Sequence, residues 1–152
     1  MTKPLLAIDP GTEQSGWCVY GGSRVLASGV DSNEAVLAKV YAWDGPLAVE
    51  MIASFGMAVG KEVFQTCVWV GRFIQAYQYP ATVQIVYRKE VKLHLCGTTK
   101  AKDANIRAAL IDMLGAPGTK KNPGPTHGVK SHAWAALGVA VTADHQMQLE
   151  AA

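Results

Sequence analysis

The sequence predicts an α/β domain built on a mixed five-stranded sheet flanked by helices, and three observations lead there. Two apolar runs, Leu5-Leu6-Ala7-Ile8 and Leu47-Ala48-Val49, each stop at a single acid. Runs without alternation belong to central strands covered by helices on both faces. Strand patterns joined by short turns crowd the first thirty residues or so, as in an antiparallel meander. Later strands alternate with segments at helical spacing, which is the pattern of an α/β fold.

The elements follow in order. Residues 4 to 9, 16 to 20 and 24 to 30 read as strands, separated by the turn formers Asp9-Pro10-Gly11 and Gly21-Gly22-Ser23. Ser32 or Asn33 caps a helix running to about Trp43, with Glu34 in its first turn, and Gly45-Pro46 breaks it. Pro46 to Ile52 is a buried strand carrying Glu50 near its end. Residues 61 to 78 are helical, with Val63, Phe64, Cys67, Val68, Val70, Gly71, Phe73, Ile74 and Tyr77 forming a wide apolar face. Trp69, Phe73 and Tyr77 also fall at helical spacing, which assigns them to core packing or a subunit interface ahead of base stacking.

Thr82 to Val86 is the fifth strand, followed by a short basic helix that Gly97 terminates. Residues 103 to 114 form a helix whose inner face is Ile106, Ala109, Leu110, Met113 and Leu114. Ala116 to Gly128, rich in proline and glycine, is a loop, and a last helix covers about Ser131 to Asp144.

A chain of 152 residues fits one domain, residues 1–152, able to bury about two-thirds of its unfolded surface. No apolar run reaches the roughly eighteen residues of a membrane span, and Met-Thr-Lys-Pro lacks the apolar core of a secretory signal, so a cytoplasmic protein is expected. Cys18, Cys67 and Cys96 have no zinc-type spacing and read as reduced residues. The net charge of +2 says little about partners, but its distribution says more. Arg88, Lys89, Lys92, Lys100 and Lys102 face one acid, Glu90, and Lys120, Lys121 and Lys130 follow in a loop.

Chemistry is expected where Asp9 and Glu50 end their strands. If the strands are neighbours, about 4.8 Å apart, the two carboxylates could share a divalent cation. Uncompensated acids that close repel and demand a cation or a proton. Taken singly, Asp9 before Pro-Gly is equally a turn former or an ion-pair partner.

With these residues in view, Ile8-Asp9-Pro10-Gly11-Thr12, Gly16 and Val49-Glu50 resemble the RuvC-type Holliday junction resolvases of the ribonuclease H superfamily. Tyr87 to Lys92, Gly97-Thr98 and Lys100 to Asp103 look like the basic segment those enzymes use against junction DNA, and Ser131 to Val141 looks like their last helix. The resemblance spans essentially the whole chain, and the compact form with His132 is most similar to phage or prophage members, which would place the protein in a bacterial host cytoplasm.

The resemblance implies a ribonuclease H-like fold and a divalent-metal-dependent endonuclease, with Asp9, Glu50 and His132 as metal ligands. Two Mg²⁺ or Mn²⁺ ions per site are expected. It also implies phosphate contacts from Arg88, Lys89, Lys92, Lys100, Lys102, Lys120 and Lys121. Branched DNA is the expected partner, four-way junctions and also forks and flaps, with no nucleotide cofactor and no membrane. A junction cut symmetrically calls for a twofold homodimer.

The last helix of the family usually offers two acids one turn apart. Here His132 holds the first position and Ala135 the second. On residue type alone His132 reads as a helix-terminal residue bonded to a nearby loop, and Asp103 reads as an N-cap ahead of a substitute ligand. Asp144, about three turns from His132 and so roughly 18 Å away, is too far to help. A junction-binding protein with weakened catalysis is the alternative. An actin-like phosphotransfer fold is disfavoured because it needs a second domain to close its cleft.

Overall fold

The computed structural model describes residues 3–152. Among them the element order is β1 (Leu5–Asp9), β2 (Gln14–Gly21), β3 (Arg24–Ser32), α1 (Asn33–Tyr41), β4 (Leu47–Met51), α2 (Lys61–Ala76), a 3₁₀ turn (Pro80–Thr82), β5 (Gln84–Tyr87), α3 (Arg88–Cys96), α4 (Asp103–Leu114) and α5 (Ala133–Ala151). The strands form one sheet in the order β3-β2-β1-β4-β5. β1, β2 and β3 pair antiparallel as a meander, whereas β4 runs parallel to both β1 and β5. The mixed sheet expected from the apolar runs is therefore present, with the two acid-ended strands side by side at its centre.

The alternation of side chains along β1 and β4 supplies two cores. Leu6, Ile8, Leu47 and Val49 point to one face and pack with Val36 and Val40 of α1 and Val70 and Phe73 of α2. Ala7 and Ala48 point to the other, under α3, α4 and α5. α5 is buried along most of its length, from Ala133 to Ala143. Its small residues let it lie close: a side chain at Gly138 would press against Val91 and Ile106. Each fully buried leucine, isoleucine or valine of these cores contributes about 1.5–3 kcal/mol relative to exposure.

Ser32 caps α1, its hydroxyl accepting from the Ala35 amide, and Gly97 ends α3 in the left-handed region (φ 72°), where a glycine is least strained. Three expectations need correction. α2 presents a narrower stripe than its apolar content suggests: Thr66, Val70, Phe73 and Tyr77 are buried, while Phe64 and Val68 are each 62% exposed. The helix lies against the sheet along one line, and apolar residues off that line face outward. Met113 of α4, expected inside, is likewise exposed. Finally, α5 continues past Asp144 to Ala151. Its polar extension is tied down by Gln146, which accepts from Gln84 and donates to Glu90.

Among the described residues no helix is long and apolar enough to cross a membrane. Cys18 is buried, and Cys18, Cys67 and Cys96 are all free thiols.

Candidate active site

Asp9 and Glu50 owe their proximity to strand register. Ile8 pairs with Val49 across the parallel β1–β4 ladder, so each acid stands one residue beyond that pair. Both continue the alternation of Ala7 and Ala48 and so rise on the α5 side of the sheet. Glu50 is 7% exposed, and the Asp9 side chain is 14% exposed. The two carboxylates are thus shielded from bulk water at the floor of a cleft of about 650 Å³.

His132 reaches this floor from the far end of the sequence because Gly16 permits it. Gly16 is the partner of Asp9 in the antiparallel ladder, and any β-carbon there would collide with the backbone carbonyl of His132. The chain turns at Ser131, which adopts a positive φ of 51°, and enters α5 directly over the end of β1. Nδ1 of His132 then lies 3.5 Å from Oδ2 of Asp9. Two ligand atoms on adjacent corners of an octahedron, each about 2.1 Å from the ion, would be separated by about 3 Å. The pair stands about 0.5 Å wider than that spacing, with a carboxylate oxygen that suits a hard cation and an imidazole nitrogen that suits a first-row transition ion.

The turn after Asp9 is held by a buried pair absent from the sequence-level expectations. Ser15 donates to Asn33 Oδ1 at 2.6 Å, Asn33 Nδ2 donates to the Gly11 carbonyl at 2.9 Å, and the Gly11 amide donates to Ser15 Oγ at 3.2 Å. Asn33 is fully buried, so its amide has no water to fall back on and the loop is fixed from beneath. Its one sequence-level signal is its position beside the Ser32 cap, which is also why it reads there as a cap.

The cleft also holds two residues whose roles differ from the expected ones. Arg88 opens α3 immediately after β5, and β5 is registered on β4 so that Val86 faces Glu50. Its guanidinium lies 3.5 Å from Glu50 Oε1 and forms a second, close ion pair with Oδ1 of Asp103. Arg88, expected among the phosphate contacts, is thus engaged with the acids themselves. Asp103 is not the cap of α4. Lys102 holds that position, its amide bonded to Asn105 Oδ1 at 2.9 Å, which leaves the Asp103 carboxylate free to turn toward Arg88.

Burial pushes Asp9 up to about 6, with Arg88 opposing the rise and Asp103 adding to it. Burial and the nearby Asp9 push Glu50 up to about 7, with Arg88 again opposing. Desolvation opposes the charge of Arg88, but Glu50, Asp103 and Asp9 outweigh it and its pKa is raised. Both carboxylates are thereby inclined to hold a proton, because burial outweighs the help of a single guanidinium. Among the described residues no three of His, Cys, Asp and Glu form a ready-made metal cage. Arg88 occupies the space between Glu50 and Asp103 instead, and Ala135 brings only a methyl group to the wall.

Lys89, Lys100, Lys102, Lys120 and Lys121 are exposed and Lys92 is half-buried; none lines the cleft. Lys89 and Lys92 share α3 with Arg88, and the Lys89 ammonium lies 5.6 Å from the ring of Phe55. Lys120 and Lys121 sit in a loop closed by a Gly118–Pro123 bridge. That loop is fastened to the start of β3, where Val25 donates to the Pro125 carbonyl at 2.8 Å, at the end of the sheet remote from Asp9. Asp144 is also remote: it lines a separate pocket with Lys3, Pro4 and Gly21.

Neither a protein-family model nor a curated protein sequence matches the chain. Among solved structures the chain is similar to T. thermophilus RuvC in complex with a Holliday junction substrate. That match has 20% sequence identity and a TM-score of 0.72, covering 97% of this chain and 96% of that one. It is also similar to T. thermophilus RuvC in a second structure, at 20% identity and a TM-score of 0.64, covering 95% of this chain and 96% of that one. At that identity the likeness is one of fold: the five-stranded mixed sheet and its helices form a RuvC-like, ribonuclease H-like architecture over nearly the whole chain.

Proposed function

We propose that the chain is a divalent-metal-dependent endodeoxyribonuclease that resolves Holliday junctions and related branched DNA by phosphodiester hydrolysis. One observation carries the reading: Asp9 and Glu50, delivered by neighbouring central strands, meet the His132 imidazole in an open cleft on a RuvC-like fold. The pairing of such a fold with junction DNA in T. thermophilus RuvC supports the substrate class.

Asp9 and His132, with Glu50 beside them, would hold Mg²⁺ or Mn²⁺, which when bound supplies a water of lowered pKa and stabilises charge on the reacting phosphate. The buried floor excludes bulk water around the acids, and the Ser15–Asn33 pair keeps the turn after Asp9 in place. Products would carry 5′-phosphate and 3′-hydroxyl ends. Lys89, Lys92, Lys100 and Lys102, with Lys120 and Lys121 farther off, would neutralise phosphates, which gives affinity without sequence information. Forks and flaps share these features and are further substrates. A twofold homodimer would present two such clefts to a symmetric junction.

A second reading has one observation in its favour. Ala135 faces the cleft where an acid would complete a larger ligand set, so the fold could bind junctions and cut them poorly. Incubation with a synthetic four-way junction in Mg²⁺ and in Mn²⁺, beside linear duplex, separates the two. Junction-selective nicking supports the nuclease; binding without nicking in either metal supports the second reading.

A further inference from the structure

The geometry of the cleft does not match two divalent ions. On one side Asp9 and His132 present an oxygen and a nitrogen 3.5 Å apart. On the other, the planar guanidinium of Arg88 bridges Glu50 and Asp103, a fork that matches carboxylates as an ammonium cannot.

We propose, on the reading that this cleft is a metallonuclease centre, that it takes one divalent cation between Asp9 and His132. The guanidinium of Arg88, held by Glu50 and Asp103, stands in the place of the second. Three further observations support this. The Asp103 side chain is 84% exposed, so its ion pair adds little to stability, yet it engages the same guanidinium that faces Glu50. Asp103 is the first residue of α4, so the helix start fixes where its carboxylate stands beside Arg88. Ala135 lies three residues past His132 and lines the same cleft, so the position suited to one more acid is filled by a methyl group. An arginine does not lose its proton under any ordinary condition, and its charge is therefore permanent where an ion's depends on loading.

The test counts ions directly. Mn²⁺ is titrated into the full chain and bound ion is read by electron paramagnetic resonance, alongside Arg88→Lys, Arg88→Gln and Asp9→Asn, each checked for native circular dichroism. One ion per chain is expected for the parent and for Arg88→Lys, two for Arg88→Gln, and none for Asp9→Asn. Should Arg88→Gln fail to fold, Arg88→Met keeps the apolar stem without the charge and serves in its place. Two ions in the parent, or one in the uncharged variants, would overturn the substitution while leaving the nuclease reading intact. No bound ion in the parent would remove the metal centre altogether.

Discussion

The imidazole of His132 lies 3.5 Å from the carboxylate of Asp9, although the two residues come from opposite ends of the chain. Their meeting depends on a glycine. Gly16 is the ladder partner of Asp9, and its missing side chain is the space through which the start of α5 passes.

Gly16→Ala should therefore act on both stability and site. The added methyl must displace the backbone carbonyl of His132, a rigid group, and such overpacking costs about 1–3 kcal/mol. Urea denaturation should show that loss, and junction cleavage should fall because His132 moves away from Asp9. Parental stability together with parental cleavage in Gly16→Ala would show that the close approach is unimportant.

The buried acids make stability depend on pH in an unusual direction. Asp9 rises from 3.8 to about 6 and Glu50 from 4.5 to about 7, so the folded chain holds these protons more tightly than the unfolded one. The stability linked to them is fully present below about pH 4 and is lost as pH rises through 6 to 7, by a few kcal/mol in total. Denaturant melts in EDTA across this range should show the decline, and Asp9→Asn/Glu50→Gln should flatten it. Added Mn²⁺ should restore stability at pH 8 far more than at pH 5. A metal-free chain that grows more stable between pH 5 and 8 would contradict the electrostatic picture.

Ala135→Asp tests whether the missing acid is a defect. With Arg88 already supplying positive charge beside Glu50, the added carboxylate should change the junction cleavage rate by less than about tenfold, or 1.4 kcal/mol in the barrier. A rate increase of a hundredfold or more would show that the parent centre is incomplete.

The basic residues should not contribute equally. Lys89 and Lys92 share a helix with Arg88, which lines the cleft, whereas the Lys120–Lys121 loop is fastened to the far end of the sheet. Lys89→Ala/Lys92→Ala should weaken junction binding more than Lys120→Ala/Lys121→Ala and should reduce the slope of affinity against salt by nearly two phosphate contacts. Equal losses from both pairs in a binding titration would show that the far loop reaches the same DNA.

Much of this arrangement was legible in the sequence because it depends on local pattern. An apolar strand interrupted by one acid announces both its burial and its special residue, so Asp9, Glu50 and the strands that carry them could be read directly, whereas the pairing of those strands comes from the fold. Side-chain partnerships across the fold could not. Asp103 opens a helix, where an acid is ordinarily a cap, and only the packing of α3 against α4 turns it toward Arg88. Arg88 sits in a basic run whose composition suggests DNA, and the register of β5 on β4 directs it to Glu50 instead. Ser15 carries no pattern and Asn33 only its place beside the Ser32 cap, since their bond joins the start of β2 to the first residue of α1 across 18 positions. The outward-facing Phe64 and Val68 show the same limit, because an apolar helix face does not say how much of itself the sheet will cover.

The most direct measurement compares the parent chain with Asp9→Asn on a four-way junction, reading cleavage in Mg²⁺ or Mn²⁺ and binding in EDTA. Asp9→Asn replaces one carboxylate oxygen by an amide nitrogen and removes the negative charge beside His132 while leaving the lysines untouched. Cutting should disappear and binding should remain within about threefold of the parent, a change of under 1 kcal/mol. Undiminished nicking by Asp9→Asn would contradict the assignment of this cleft as the catalytic centre.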